Sequence, residues 1–214
     1  MAAHTHEGAH EHEDPHAPIE AAAGEPDYFD VLQMAVRELM VEKGLIGAGE
    51  VRAMIETLDA HEPSRGAALV ARAWSDPGFK ERLLADGTAA IVEFGIDNYD
   101  GTKLIVLEQT PDTHNLVVCT LCSCYPRPVL GLPPDWYKSR PYRARAVREP
   151  RALLAEFGTE VPDEVAIRVH DSTANMRYLV LPMRPEGTEG WSEEDLAELV
   201  TRDAMIGVTT AREP

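Results

Sequence analysis

Cysteine is nearly absent from this 214-residue chain: three residues, all within Cys119–Cys124. An odd number in one short run excludes the disulfide framework of a small secreted protein. Nor does the chain need staples, because at this length folding removes roughly 70% of the unfolded surface from water. Basic charge is also short, with 20 Lys and Arg against 37 Asp and Glu and a formal charge of -17. Such a balance repels a phosphate backbone, so no nucleic-acid partner is expected. No apolar run approaches the roughly 18 to 20 residues of a membrane span, and the N-terminus opens on His and Glu where a signal peptide carries basic and then apolar residues. A soluble, cytoplasmic protein is the expectation. Internal repeats are missing, and so is a phosphate-binding loop: Gly44 to Gly49 has neither a Lys-Ser/Thr ending nor a preceding strand.

What is present divides into three stretches. Residues 1–26 hold five of the eight histidines (His4, His6, His10, His12, His16), many acids and almost no large apolar side chain. They cannot offset their ordering entropy by burial, which predicts a disordered tail, either simply solvated or loosely capturing divalent metal. Residues 27–75 read as an arm of three helices in series. The first is capped by Asp27 and lined by Val31, Met34, Ala35 and Leu39; the second runs from about Gly49 to Ala60, and the third from Ser64 to Trp74. Residues 76–214 read as a metal-binding catalytic domain. Here a helical stretch over 79–94 precedes strands at 103–108 and 115–118, a basic helix over 142–157, strands at 165–169 and 178–181 joined by the turn Asp171-Ser172-Thr173, and a helix capped by Ser192. Trp191 reads as core. The fold class is α+β, an extended helical arm followed by a mixed, layered α/β catalytic domain.

The chemistry concentrates in Val117-Val118-Cys119-Thr120-Leu121-Cys122-Ser123-Cys124, a Cys-x-x-Cys-x-Cys loop at a strand end. Such a loop can aim three sulfurs at one centre. If Cys122 and Cys124 hold one metal in a square arrangement, the backbone nitrogens of Ser123 and Cys124 complete the plane and Cys119 is an axial ligand. Deprotonated amides are strong-field donors, so this set suits low-spin iron or cobalt over zinc. Three alternatives stand beside it. A zinc site needs a fourth ligand, for which His114 is the nearest candidate; a redox Cys-x-x-Cys leaves Cys124 unexplained; three inert thiols within six residues are a poor match for ordinary buried cysteine. A metal-storage or redox-sensing protein is the corresponding non-enzymatic reading.

VCTLCSCYP, followed by PVLGLPPDWYKS, YRARAVREPR and EFGTEVPDEVAIRVHDST, resembles the nitrile hydratase α-subunit family, which includes the related γ subunit of thiocyanate hydrolase. The likeness extends from about Asp27 through most of the chain. It implies hydration of a nitrile C≡N to an amide, with Cys119, Cys122, Ser123 and Cys124 as metal ligands. Thr120 at its position implies non-corrin Co(III) over iron. The resemblance further implies oxidation of Cys122 to sulfinate and Cys124 to sulfenate, and it makes Cys124 a candidate nucleophile with the Ser123 hydroxyl organising the open site. It also implies a hetero-oligomer in which a β-type partner supplies two arginines to the oxidised cysteines, with a metal-insertion activator as a further partner. Two departures bear on substrate. Nitrile hydratases commonly carry Trp where this chain has Arg127, a substrate-pocket position at which a guanidinium favours an anion such as thiocyanate. The family often has Gln shortly before the 103–108 strand, where this chain reads Asn98-Tyr99-Asp100-Gly101. His114 reads as a strand-edge or interface residue, and Trp136-Tyr137 as packing for the loop.

Overall fold

The computed structural model describes residues 27–59 and 61–214; the expected tail at 1–26 lies outside them. Helix α1 (Tyr28–Glu42) starts as the sequence predicts: the Asp27 side chain accepts from the amides of Phe29 and Asp30, and Asp30 answers with a bond to the Asp27 amide. This reciprocal cap satisfies amide donors that the first turn leaves free. Yet α1 buries none of its residues, and Tyr28, Phe29, Val31, Leu32, Met34, Val36 and Leu39 all face outward. Helix α2 (Glu50–Asp59) likewise leaves Met54 and Ile55 exposed.

Helix α3 (Pro63–Ser75) differs from the expected arm. Gly66, Ala67, Leu69, Val70, Ala71 and Ala73 are buried against later elements, so α3 is a central helix of the body. The small residues at 66, 67, 71 and 73 explain it, because they let neighbouring backbones approach while Leu69 and Val70 each contribute about 1.5–3 kcal/mol by burial. The 79–94 stretch divides into α4 (Pro77–Ala85) and α5 (Gly87–Glu93), each opened by an aspartate that accepts from a backbone amide, Asp76 from Phe79 and Asp86 from Ala89. Asp86 serves at once as the end of one helix and the cap of the next. The expected basic helix over 142–157 also divides, into α8 (Arg140–Arg148) and α9 (Pro150–Glu156), since Pro150 disfavours helical backbone at Glu149.

Four strands carry the site. Strand β1 (Lys103–Glu108) pairs in parallel with β4 (Met176–Leu181), and β2 (Thr113–Val118) in parallel with β3 (Ala166–Asp171). Thus the turn at 171–173 does not fold β3 onto β4; it passes the chain from one two-stranded sheet to the other. Parallel pairing requires a long crossover, and between β2 and β3 this is supplied by α6 (Arg127–Leu130), α7 (Asp135–Lys138), α8 and α9. Strands β2 and β4 are in contact, so the sheets share one core with Leu116, Val118, Leu179 and Leu181. Helices α10 (Glu193–Glu198) and α11 (Arg202–Ile206) close it, α10 capped by Ser192 as expected, whereas Trp191 is exposed. No helix among the described residues is long and apolar enough to cross a membrane.

Candidate metal centre

The cysteine loop begins where β2 ends. Register pairs Val118 with Asp171, and the Ser172 amide donates to Val118 O at 2.7 Å, so the chain leaves the sheet beside the last residue of β3. Asp171 then grips the loop: its Oδ1 accepts from the Thr120 amide at 2.9 Å and its Oδ2 from the Thr120 hydroxyl at 2.5 Å. Two tyrosines hold the flanks. The Tyr137 hydroxyl donates to Cys124 O at 2.9 Å, and Tyr142 donates to Val117 O at 2.7 Å. Both rings lie in an aromatic cluster with Trp136, whose centroid is 6.0 Å from that of Tyr137 and 4.9 Å from that of Tyr142. Trp136 and Tyr137 therefore pack the loop, as the sequence suggests.

Held this way, the three sulfurs converge. Cys119 Sγ and Cys122 Sγ are 3.4 Å apart, Cys122 Sγ and Cys124 Sγ 3.2 Å apart, and all three lie within 4.8 Å of one another. Cys119 is buried, Cys124 half-buried and Cys122 exposed, which gives the cluster one closed side and one open side. The Cys122 amide is directed at Cys119 Sγ at 3.3 Å. Contact with Cys124, together with Cys119 and the Cys124 and Ser123 amides, holds the Cys122 thiol below its ordinary value. Burial, with the neighbouring thiols, pushes Cys124 up to about 12. Two backbone amides aimed at the sulfur cluster are what a mixed amide and thiolate ligand set requires, so the residues fit a metal of tetragonal preference.

The structure brings Cys119, Cys122, Ser123 and Cys124 together and leaves His114 out. His114 is buried inside β2, with Nε2 2.7 Å from Gly207 O and Nδ1 3.4 Å from Gln109 Nε2, and neither nitrogen faces the cysteines. It is therefore not a fourth ligand, and it sits on an edge strand, as the sequence suggests. Arg127 opens α6 three residues beyond Cys124, half-buried, and its guanidinium makes no ion pair among the described residues. Tyr99 lies close enough for that cation to act on its hydroxyl, and the Tyr99 ring stacks on His61 at 5.3 Å. Asp100 is turned inward to its own loop, where it accepts from the Thr120-like pair of groups on Thr102, the amide at 3.0 Å and the hydroxyl at 2.8 Å. Asp171, Tyr142 and Arg177, the last acting on Cys124 from the start of β4, are the functional neighbours that sequence reading misses. The β2–β3 register reveals Asp171, while the packing of α8 and of β4 against the loop reveals the other two.

Comparison with known proteins gives a consistent picture. A family model described as nitrile hydratase, alpha chain, matches residues 27–209. The alpha subunit of the low-molecular-weight cobalt-containing nitrile hydratase of Rhodococcus rhodochrous is 54% identical over 181 residues, covering 84% of this chain and 87% of that subunit. The gamma subunit of thiocyanate hydrolase from Thiobacillus thioparus is 48% identical over 195 residues, covering 86% of this chain and 80% of that subunit. Among solved structures, a recombinant thiocyanate hydrolase with partially modified cobalt centres matches with a TM-score of 0.80 at 47% identity, over 87% of this chain and 91% of that one. An iron-type nitrile hydratase from Comamonas testosteroni Ni1, a histidine double mutant, matches with a TM-score of 0.78 at 44% identity, over 88% of this chain and 93% of that one.

Proposed function

The chain belongs to the nitrile hydratase alpha-chain family, and from that premise we propose that it is the catalytic subunit of a cobalt-dependent nitrile hydratase, converting a C≡N group to an amide. The observation that carries this reading is the convergence of Cys119, Cys122 and Cys124 with the Ser123 and Cys124 amides aimed into the cluster. Those residues would hold the metal, and the cobalt-containing relatives favour Co(III) over the iron of the Comamonas enzyme. A trivalent ion held there supplies Lewis acidity, which makes the weakly electrophilic nitrile carbon open to attack.

The chain's own groups do the rest. Cys122, the exposed thiol, and Cys124 are the candidates for oxidation to sulfinate and sulfenate by an external oxidant such as dioxygen, which supplies the added oxygens, because a metal-held thiolate is electron-rich and accessible. The sulfenate oxygen of Cys124 is the candidate nucleophile toward the nitrile carbon, and the Ser123 hydroxyl orients groups on the same open side. Asp171, Tyr137 and Tyr142 keep the loop from relaxing while this happens. The oxidised sulfurs need cations beyond Arg177, and a β-type partner contributing arginines meets that need; a metal-insertion activator would load the site. Leu121, 89% exposed at the loop tip, supports a partner covering this side, since an apolar tip beside an open site gains by being buried.

Arg127 favours a second reading, in which the chain is a thiocyanate hydrolase γ-type subunit releasing carbonyl sulfide and ammonia. A guanidinium three residues from Cys124 with no ion pair among the described residues suits an anion better than an alkyl chain. Both readings are tested on the complex purified with its native neighbours, by metal analysis and intact mass. One cobalt per chain and three added oxygens on the Cys119–Cys124 peptide are expected. Zinc with unmodified thiols in a fully assembled sample would overturn the catalytic assignment and favour metal storage. Turnover of thiocyanate against an aliphatic nitrile then decides between the two substrates.

A further inference from the structure

Helix α11 opens on a charged pair that the metal centre does not use. Arg202 Nε and Asp203 Oδ1 stand 3.6 Å apart, within ion-pair range but beyond that of a hydrogen bond. Both atoms are enclosed, and neither has a hydrogen-bond partner among the described residues; the same holds for Thr209 Oγ1, just past the end of the helix. Each charged side chain nonetheless keeps 35% of its surface open. Together with Pro63 at the start of α3, and with Thr209, Thr210 and Ala211, they line an open cavity of about 660 Å³, a size that suits a small organic molecule. Behind the pair lies Tyr125, which is 2% exposed, packs edge-on against the Tyr137 ring at 5.2 Å and has no partner for its hydroxyl. Burial raises that hydroxyl well above the ordinary tyrosine value, with Arg202 and Asp203 acting on it in opposite senses. Buried polar groups are nearly always hydrogen-bonded, so three orphaned atoms on residues that line one cavity, with a fourth behind them, point to an occupant.

Charge selects that occupant. A guanidinium only donates and a carboxylate only accepts. Because the two stand side by side, a lone anion or cation would be drawn to one and repelled by the other. A neutral group that presents an acceptor and a donor together meets both, and it sheds its water at less cost than a zwitterion does. A primary carboxamide is such a group: its C=O accepts from Arg202 while its NH2 donates to Asp203, and an alkyl remainder lies against Pro63 and Ala211. We infer that this cavity is a carboxamide-binding site, distinct from the cysteine loop, with Tyr125 between the two. A carboxamide is also the product class of the proposed reaction; that connection rests on the proposed function, whereas the binding does not.

The test is saturation-transfer difference NMR on the full, metal-free complex, in which the cysteines carry no ion to attract an amide. Butyramide is the probe, with butyrate, butylammonium and 2-aminobutyrate beside it. Butyramide is expected to bind with a Kd in about the millimolar range, in keeping with so small a ligand. Its affinity is expected to fall at least about tenfold in Arg202→Met and in Asp203→Ala, each of which removes one charged hydrogen-bonding partner. Since neither side chain is hydrogen-bonded to the fold, the urea midpoints of both variants are expected to stay close to the parent's, and Thr209→Val, which leaves both charges in place, is expected to give a smaller loss of affinity. Butyramide binding unchanged in both charge variants would place the amide elsewhere and overturn the proposal. So would tighter binding of butyrate, which would make the cavity an anion site on Arg202 alone, tighter binding of 2-aminobutyrate, which would make it a zwitterion site, or no binding of butyramide at all. If the metal-loaded complex hydrates no C≡N compound, butyramide is still expected to bind at Arg202 and Asp203, and the failure belongs to the proposed reaction alone.

Discussion

Asp171 has the most to say at the scale of single residues, because one carboxylate takes both the amide and the hydroxyl of Thr120 and so fixes the first turn of the cysteine loop. In Asp171→Asn one oxygen is replaced by a donor, so the Thr120 amide keeps its acceptor and the hydroxyl must reverse its role. Because Asp171 and Thr120 are exposed, the loss of stability is expected to be about 1 kcal/mol. The larger effect falls on the sulfurs, since a loop that samples several turns presents its three thiols together less of the time. Bound cobalt per chain in the purified complex is expected to drop below that of the parent while the urea midpoint moves little. Full occupancy in Asp171→Asn would show that Tyr137 and Tyr142 suffice to hold the loop. Asp171 was read in the sequence as part of a turn, and its chemistry became visible only when β3 was found beside β2. By contrast, the cysteines and Ser123 were legible at once, because three thiols within six residues of an otherwise cysteine-poor chain have few ordinary explanations.

Elements show the same division between what is local and what is not. Caps were legible, as at Asp27 and Ser192, because a cap is an agreement between residues two or three apart. Strand existence was legible too, from branched residues between turn formers. Pairing was not: nothing in the sequence separates a hairpin of β3 and β4 from the two parallel pairs observed, since that choice is made by the crossover through α6–α9. Helix α3 was assigned to the arm as the third of three helices in series, whereas in the fold its small residues permit close packing against later elements. Gly66 and Gly207 test this. A Cβ on Gly66 would meet Leu130 Cδ2 and Met205 Sδ at 2.8 Å each, both ends of flexible side chains. A Cβ on Gly207, at φ +89, would lie 2.1 Å from Asn115 O, in the strand that leads to Cys119. Gly66→Ala is therefore expected to cost about 1–2 kcal/mol by overpacking. Gly207→Ala is expected to exceed about 2 kcal/mol, since backbone cannot yield as a side chain does and the residue is also strained. Chemical denaturation of the two variants in the same assembly gives the order, and a Gly66→Ala loss equal to or above that of Gly207→Ala would mean the close approach to β2 is not what binds α11 to the sheets.

For the whole molecule, charge and burial set separate responses to pH. Carboxylates as a class titrate mainly below about pH 5, and the groups that answer above that range are three described histidines. His61, His114 and His170 are all held below the ordinary value of 6.5, in each case chiefly by burial. His114 is the most enclosed. Its Nε2–H donates to Gly207 O, its Nδ1 meets the amide nitrogen of Gln109, and the same Gln109 accepts from the Asn115 amide at 2.5 Å, so this network joins the end of β1, β2 and the turn after α11. A proton on Nδ1 would set two donors against each other in a buried place. The sign follows from proton counting: below pH 6.5 the unfolded chain takes up protons that the folded chain refuses, so the histidine contribution is fully present above 6.5 and is lost as pH falls towards the lowered folded values. The urea midpoint of the complex is expected to be flat from pH 8 to about 7 and to fall as the pH drops below about 6.5, before the carboxylates contribute. His114→Gln, which has no charge to gain, is expected to start lower at pH 7.5 for want of a well-placed imidazole and to show a shallower fall. An equal slope in parent and variant would place the acid sensitivity at His61 and His170, and no fall at all before pH 5 would show that the buried network accommodates a proton.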